Sequence, residues 1–249
     1  DSFKKKSFYL KNNFEATEGL VNTLIKNDNE YMIFSSSASV YGRPLTTAIK
    51  EDHQTEPISP YGKSKLMCDK FLEKTSINTD FKSISLRYFN AAGAKNEKNI
   101  GEHHIPETHL IPSTLISVIE NNAKIDLFGD NYDTIDGTCV RDYIHVQDLV
   151  AAHLKAYEYL SKTKEFTIFN LGNGKGYSNL EIIRACEKIT NKNIEINFCP
   201  PRQGDIASLV ADIEKAKKEL NFTVKFKNIE QIIKTSWEWH KWLYNHKRA

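Results

Sequence analysis

Tyr61 and Lys65 stand four residues apart, just after Ser59-Pro60 and about one βα unit beyond the run Ser35-Ser36-Ser37. On a helix, positions i and i+4 lie one turn apart on the same face. Proline suits the first helical position, and serine caps the end before it. The spacing predicts a helix over 59–75 that opens beside Tyr61, with the Lys65 ammonium one turn further in. A helix N-terminus and a neighbouring cation both favour phenolate over phenol. A tyrosine at its ordinary pKa of about 10 is a poor base at neutral pH, but one beside a fixed cation is a usable one. An isolated pair of this kind is most often a surface feature. The serine run and the proline cap make this one a candidate proton-transfer site.

The elements that must position these residues read as α/β. Residues 12–26 carry Phe14, Thr17, Leu20, Val21, Leu24 and Ile25 at helical spacing. Tyr31-Met32-Ile33-Phe34 is a short apolar run that ends in the serines, as a buried parallel strand ends at an active face. Residues 84–89 form the next strand, so the order helix, strand, helix, strand marks an α/β domain. The stretch 91–107 breaks the pattern and reads as a crossing between domains. Beyond it, helices are expected over 111–121, 147–160 and 178–189, the last opened by a Ser178/Glu181 capping box. Strands are expected at 125–128, 143–146, 167–171 and 194–198. A short helix capped by Asp212 runs to Leu220. Ile229, Ile232, Ile233, Trp237, His240 and Leu243 mark a C-terminal helix.

The chain has 249 residues, enough for one large or two small cores. With 34 basic and 32 acidic residues the formal charge is +2, which argues for neither nucleic acid nor membrane as a partner. Cys68, Cys139, Cys186 and Cys199 form no Cys-x-x-Cys pair and read as reduced thiols of a cytoplasmic protein. No run of eighteen apolar residues and no signal peptide is present. His103 and His104 raise the question of a metal, but no third ligand has a suitable spacing. They read as solvated loop residues, and no metal is expected. Gly172-Asn173-Gly174-Lys175-Gly176 has the wrong spacing for a phosphate cradle.

Taken together, the motifs resemble one family closely. They are Asn12-Asn13, Phe34 to Gly42, Ser59 to Lys65, Leu86 to Asn90, Phe128-Gly129, Asp136-Gly137-Thr138, Val140 to Val146, Asn170-Leu171-Gly172 and Arg202 to Asp205. In this order they resemble the UDP-galactose 4-epimerases of the extended short-chain dehydrogenase superfamily. The resemblance implies a doubly wound, Rossmann-like parallel-sheet NAD domain and a smaller α/β substrate domain, with a UDP-sugar in the cleft. Residues 1–92 would be a partial NAD domain carrying the catalytic residues, with 142–165 packing back on it. Residues 93–249 would mainly bind the UDP-sugar. Asp1-Ser2 matches a position just after the family's fourth strand. The first four βα units, with the glycine-rich pyrophosphate loop, are therefore expected upstream. The chain alone is expected to be poorly soluble and to bind NAD weakly.

The same resemblance assigns roles. Tyr61 would take the proton of the sugar C4 hydroxyl while the C4 hydride passes to NAD, and the 4-keto sugar would take that hydride back on its other face. Lys65 would lower the Tyr61 pKa and hold the nicotinamide ribose; Ser37 would bond the reacting oxygen. Asn13, Ser35 and Tyr88 would join Tyr61 and Lys65 around NAD. Asn90, Arg141 and Arg202 would hold the diphosphate and Asp205 the uridine ribose. Leu110 and Phe128 would line the uracil pocket, with His109 beside them. Leu209 stands where a bulky tyrosine excludes N-acetylated sugars and a small residue admits them; leucine is intermediate, so UDP-glucose and UDP-galactose are expected and the acetamido sugars stay open. A homodimer is implied.

Three alternatives compete. A nucleotide-sugar 4,6-dehydratase would need an acidic pair beside the active hydroxyl residue, and Ser35-Ser36-Ser37-Ala38 has none. A UDP-pentose or UDP-uronate 4-epimerase would share the same three catalytic residues. A non-catalytic UDP-sugar-binding protein would not need Tyr61, Lys65 and Ser37 intact.

Overall fold

The computed structural model describes residues 2–95, 97, 99–162 and 166–247, the last of these by its backbone alone. Asp1 lies outside the described residues. The chain forms two compact units, each with its own core.

The first unit comprises Asp1–Phe89, Ala151–Gly174 and Ala211–Thr223. It opens with α1 (Lys6–Tyr9), a π-helical stretch (Leu10–Glu15) and α2 (Ala16–Lys26). Three strands, β1 (Tyr31–Ser37), β2 (Lys82–Tyr88) and β6 (Thr167–Leu171), pair in parallel in the order β1-β2-β6. The register runs from Tyr31 opposite Lys82 to Ser37 opposite Tyr88. Helix α3 (Pro60–Asn78) joins β1 to β2, and most of α5 (Val146–Leu160) with α7 (Glu214–Leu220) completes the unit. Val21, Phe34, Cys68, Leu72 and Phe81 form the core between these helices and the sheet.

β2 is buried from Ser83 to Arg87, as a central parallel strand should be. One of its two faces is nevertheless polar, and it is bonded to α3. Ser83 Oγ lies 3.2 Å from Ser76 Oγ, Ser85 Oγ donates to Asp69 Oδ1 at 2.8 Å, and Arg87 Nε donates to Asp69 Oδ2 at 2.9 Å. Arg87 also donates to the Tyr41 hydroxyl, which donates to Asn170 Oδ1 at 2.6 Å. Thus Arg87 and Asn170, both in family motifs, fix α3 and β6 to the strands. They do not reach the serine end of β1 by these bonds.

The second unit comprises Asn90–Val150, Lys175–Val210 and Val224–Ala249. Its elements are β3 (Asn90–Ala92), α4 (Leu110–Ile119), β4 (Lys124–Phe128), β5 (Val140–His145), the first turn of α5, β7 (Gly176–Ser178), α6 (Asn179–Thr190), β8 (Glu195–Cys199), β9 (Ser208–Leu209) and α8 (Ile229–Lys247). β5 is the hub, parallel to β3 and β9 and antiparallel to β7; β4 and β8 form a separate parallel pair. Ile111, Leu115, Ile182, Ile183, Ile229, Ile232 and Ile233 pack α4, α6 and α8 into one core. The predicted capping box is present: Ser178 Oγ accepts from Glu181 N while Glu181 Oε2 accepts from Ser178 N. Asp212 lies one residue outside its predicted cap position, since Ile213 is the N-cap of α7. It still accepts from Glu214 N at 2.9 Å. No helix among the described residues is long and apolar enough to cross a membrane.

Candidate active site

The serine end of β1 and the start of α3 meet within the first unit. Ser59 is the N-cap of α3, its Oγ accepting from Gly62 N at 3.0 Å, with Pro60 in the first turn. The chain leaves β1 through a 3-10 turn at Ala38–Val40, capped by Ser37, whose Oγ accepts from Ser39 N at 3.2 Å and from Ser39 Oγ at 2.9 Å. The Ser37 side chain stands beside the Tyr61 hydroxyl, close enough to lower its pKa. Lys65 Nζ donates to Ser35 O at 2.8 Å and lies 5.8 Å from the Tyr61 ring centroid.

Two features that sequence reasoning missed hold this arrangement. A Cβ on Gly62 would stand 2.5 Å from the Ser39 carbonyl oxygen and 3.0 Å from Pro57 Cβ. Only glycine lets the first turn of α3 press on the turn that follows Ser37. Its signal was visible, since a glycine inside a capped helix costs stability unless close packing needs it. The other is the π-helical stretch around Asn13. Asn13 Nδ2 donates to Ser64 Oγ at 2.9 Å, and Ser64 Oγ donates to Tyr61 O at 2.8 Å. Tyr88 is the register partner of Ser37, and Tyr9 meets the Tyr61 ring edge-on at 6.1 Å.

The electrostatics depart from the expectation of a lowered Tyr61 pKa. Burial raises it above the ordinary phenol value, the neighbouring Ser37 side chain pulls it part of the way back, and Tyr88 and Tyr9 push it up again. Removing water destabilises phenolate more than Ser37 restores. Lys65 is itself pushed below its ordinary value by burial, with Cys68 and Asp69 opposing.

The remaining predicted residues lie in the second unit. Phe128, Arg202 and Asp205 come together: the Arg202 guanidinium lies 4.3 Å over the Phe128 ring, and its Nε is 3.8 Å from Asp205 Oδ2. Tyr132 OH, at 3.5 Å from Asp205 Oδ2, joins this group and was not foreseen. Arg141 and Leu209 are register partners on β5 and β9. Arg141 Nη1 donates to Val140 O at 2.8 Å, while Asp148 is taken by the backbone N–H groups of Lys225 and Phe226. Asn90 pairs in register with Tyr143. His109 is the N-cap of α4 and Leu110 its first residue. His109 contacts Glu102, and Glu107 and His104 gather beside them. The absence of a third ligand near His104, expected from the sequence, does not hold. Asp136 of the Asp-Gly-Thr motif has a structural task, with Oδ1 accepting from Thr138 N and Oγ1 at 2.9 and 2.8 Å and Oδ2 bonded to Ser178 Oγ.

The family model described as GDP-mannose 4,6 dehydratase matches residues 1–235. The UDP-glucose 4-epimerase of Lactobacillus helveticus is 44% identical over 241 residues, spanning 97% of this chain and 73% of that protein. A crystal structure of a UDP-glucose 4-epimerase superposes with a TM-score of 0.92 at 41% identity, covering 98% of this chain and 74% of that one. The Bifidobacterium longum UDP-glucose 4-epimerase, solved in complex with NAD+ and UDP, superposes with a TM-score of 0.91 at 36% identity over 98% of this chain and 73% of that one. With its Rossmann-like parallel sheet and its Ser37-Tyr61-Lys65 grouping, the chain belongs to the UDP-glucose 4-epimerases of the extended short-chain dehydrogenase superfamily.

Proposed function

We infer that the chain is an NAD-dependent isomerase that interconverts UDP-galactose and UDP-glucose at sugar C4. The observation that carries this reading is the placement of Tyr61 beside Ser37, with Lys65 one helical turn away, at the C-terminal end of a parallel strand. Ligands of open α/β sheets bind at that end.

The residues there fit the nicotinamide end of NAD. Ser36 Oγ is buried with no hydrogen-bond partner among the described residues, an unmet polar atom at the strand end. Lys65 has three N–H donors, and its bond to Ser35 O holds it over the Phe34 ring, 4.8 Å from the centroid. Asn13, Ser35, Tyr61, Lys65 and Tyr88 would hold the cofactor. When bound, NAD supplies a reversible acceptor for the C4 hydride. Tyr61 Oη takes the C4 hydroxyl proton as the hydride leaves, and Ser37 bonds the same oxygen. Tyr61 returns the proton once the hydride has come back to the opposite face of the 4-keto sugar.

In the second unit, Asn90, Arg141 and Arg202 hold the diphosphate, Asp205 the uridine ribose, and His109, Leu110 and Phe128 the uracil end. A planar guanidinium suits phosphate oxygens, and the stacking of Arg202 on Phe128 supports this division. We assign the cofactor to the first unit and the sugar nucleotide to the second. Leu209, intermediate between a bulky tyrosine and a small residue, is compatible with UDP-glucose and UDP-galactose. Ala38, where a dehydratase needs an acid, supports epimerisation over water loss. Four free thiols support a cytoplasmic setting. We also propose a homodimer, which sedimentation would test.

The test is conversion of UDP-galactose to UDP-glucose with product analysis. Tyr61→Phe is expected to lose roughly 10²–10⁴-fold in rate while still binding UDP. Undiminished turnover in Tyr61→Phe would overturn the assignment. Faster turnover of UDP-xylose than of UDP-galactose would move the reading to a pentose epimerase.

A further inference from the structure

We propose that Glu102, His104, Glu107 and His109 form a binding site for a divalent transition-metal ion of the zinc class. One donor atom from each of the four lies within 4.8 Å of the other three. His104 Nδ1 is 3.0 Å from Glu102 Oε1 and 3.8 Å from Glu107 Oε1. His109 Nδ1 is 3.9 Å from Glu107 Oε1 and in direct contact with Glu102 Oε1. Zinc bonds of about 2.0–2.2 Å in a tetrahedron place donors roughly 3.3–3.6 Å apart. The measured spacings bracket that edge, so small side-chain rotations would bring all four donors onto one ion.

A second observation points the same way. The Glu107 side chain is only 8% exposed, and its Oε2 is buried with no hydrogen-bond partner among the described residues. Its Oε1, the oxygen that faces both imidazoles, accepts from Thr108 N at 2.7 Å and His109 N at 2.9 Å, which fixes the carboxylate beside them. A buried carboxylate with an unmet oxygen is costly unless a cation completes it. Both imidazoles are more than half exposed, which leaves an entry path from solvent. The loop backbone is fixed beforehand: Trp239 Nε1 donates to Glu102 O at 2.7 Å, and a Cβ on Gly101 would strike the Trp239 ring at 2.5 Å.

Two imidazoles and two carboxylates select Zn²⁺, Co²⁺ or Ni²⁺ over Mg²⁺ and Ca²⁺, which prefer oxygen alone. The ion would tie the loop at 102–107 to His109, the N-cap of α4. The proposal goes beyond the epimerase reading and shares one residue with it, His109.

The test is titration of EDTA-dialysed protein with Zn²⁺ by calorimetry and with Co²⁺ by visible absorption. One equivalent is expected to bind, with the strong absorption of tetrahedral Co²⁺ and no thiolate charge-transfer band. His104→Gln and Glu107→Gln are each expected to weaken binding at least about tenfold. Since His104 is exposed, its variant keeps the fold and the test survives if Glu107→Gln does not fold. The proposal is overturned by an absence of saturable binding at millimolar metal. Binding unchanged in His104→Gln, or a thiolate band that places the ion on a cysteine such as Cys199, overturns it equally.

Discussion

Tyr61 carries two opposed demands. It must be shielded enough to meet a sugar hydroxyl, yet burial raises its pKa and empties the phenolate form at neutral pH. The Ser37 side chain is the largest influence lowering that pKa. Removing the Ser37 hydroxyl leaves the phenol higher still, so a higher pH is needed to form the base. Ser37→Ala is therefore expected to shift the acid limb of the kcat/KM profile upward in pH and to lower the rate at pH 7 more than at pH 9. An unmoved limb would show that Ser37 acts by positioning the substrate oxygen and not on Tyr61. At this scale the catalytic residues were legible because a tyrosine, a lysine and a serine run were each tied to an element end. The Glu102-His104-Glu107-His109 grouping was not. Carboxylates are common, 32 acidic residues in all, and a search for His and Cys spacings passes over them.

At the level of elements, the site depends on how α3 seats against β1 and β2. Gly62→Ala would put a methyl group into the Ser39 carbonyl, where backbone offers no soft retreat. The expected result is about 1–3 kcal/mol lost in urea denaturation and at least a tenfold fall in turnover. Wild-type values for both would mean that α3 moves aside without cost. Asp69 sits two turns beyond Tyr61, on the same face, and meets Arg87 with side-chain exposures of 2% and 4%. Asp69→Ala would strand a buried guanidinium and should cost about 3–5 kcal/mol, measured in the same way. A cost near that of an exposed ion pair, under about 1 kcal/mol, would contradict it. The helices were legible because Ser59, Pro60 and the Ser178/Glu181 box announce their starts. β3, β7 and β9 were not, since strands of two or three residues are too short for a period-2 pattern. The π-helical stretch around Asn13 was missed because its sequence keeps an ordinary helical rhythm.

Across the whole molecule, exposed ion pairs such as Lys124–Glu195 contribute little, and stability against pH turns on groups that titrate inside the cores. His145 is the clearest. It is fully buried in the second unit, stacked on Phe226 at 3.5 Å. Its Nε2 is 3.0 Å from Thr235 Oγ1, and its Nδ1 accepts from Gln147 N at 3.1 Å. That acceptor role requires the neutral ring. Burial, with Lys95 adding in the same direction, lowers its pKa from 6.5 to about 4. Above pH 6.5 the ring is neutral whether the chain is folded or not, so it adds no pH dependence there. As pH falls toward 4 the unfolded chain takes up a proton that the folded chain refuses, so stability falls with pH across that window and levels off below it. The loss attributable to this residue is at most roughly 3 kcal/mol. Urea midpoints of wild type and His145→Gln between pH 7 and pH 5 isolate it, since most carboxylates remain ionised there. The variant is expected to start lower but to fall less steeply; parallel slopes would mean that His145 takes its proton without unfolding the unit.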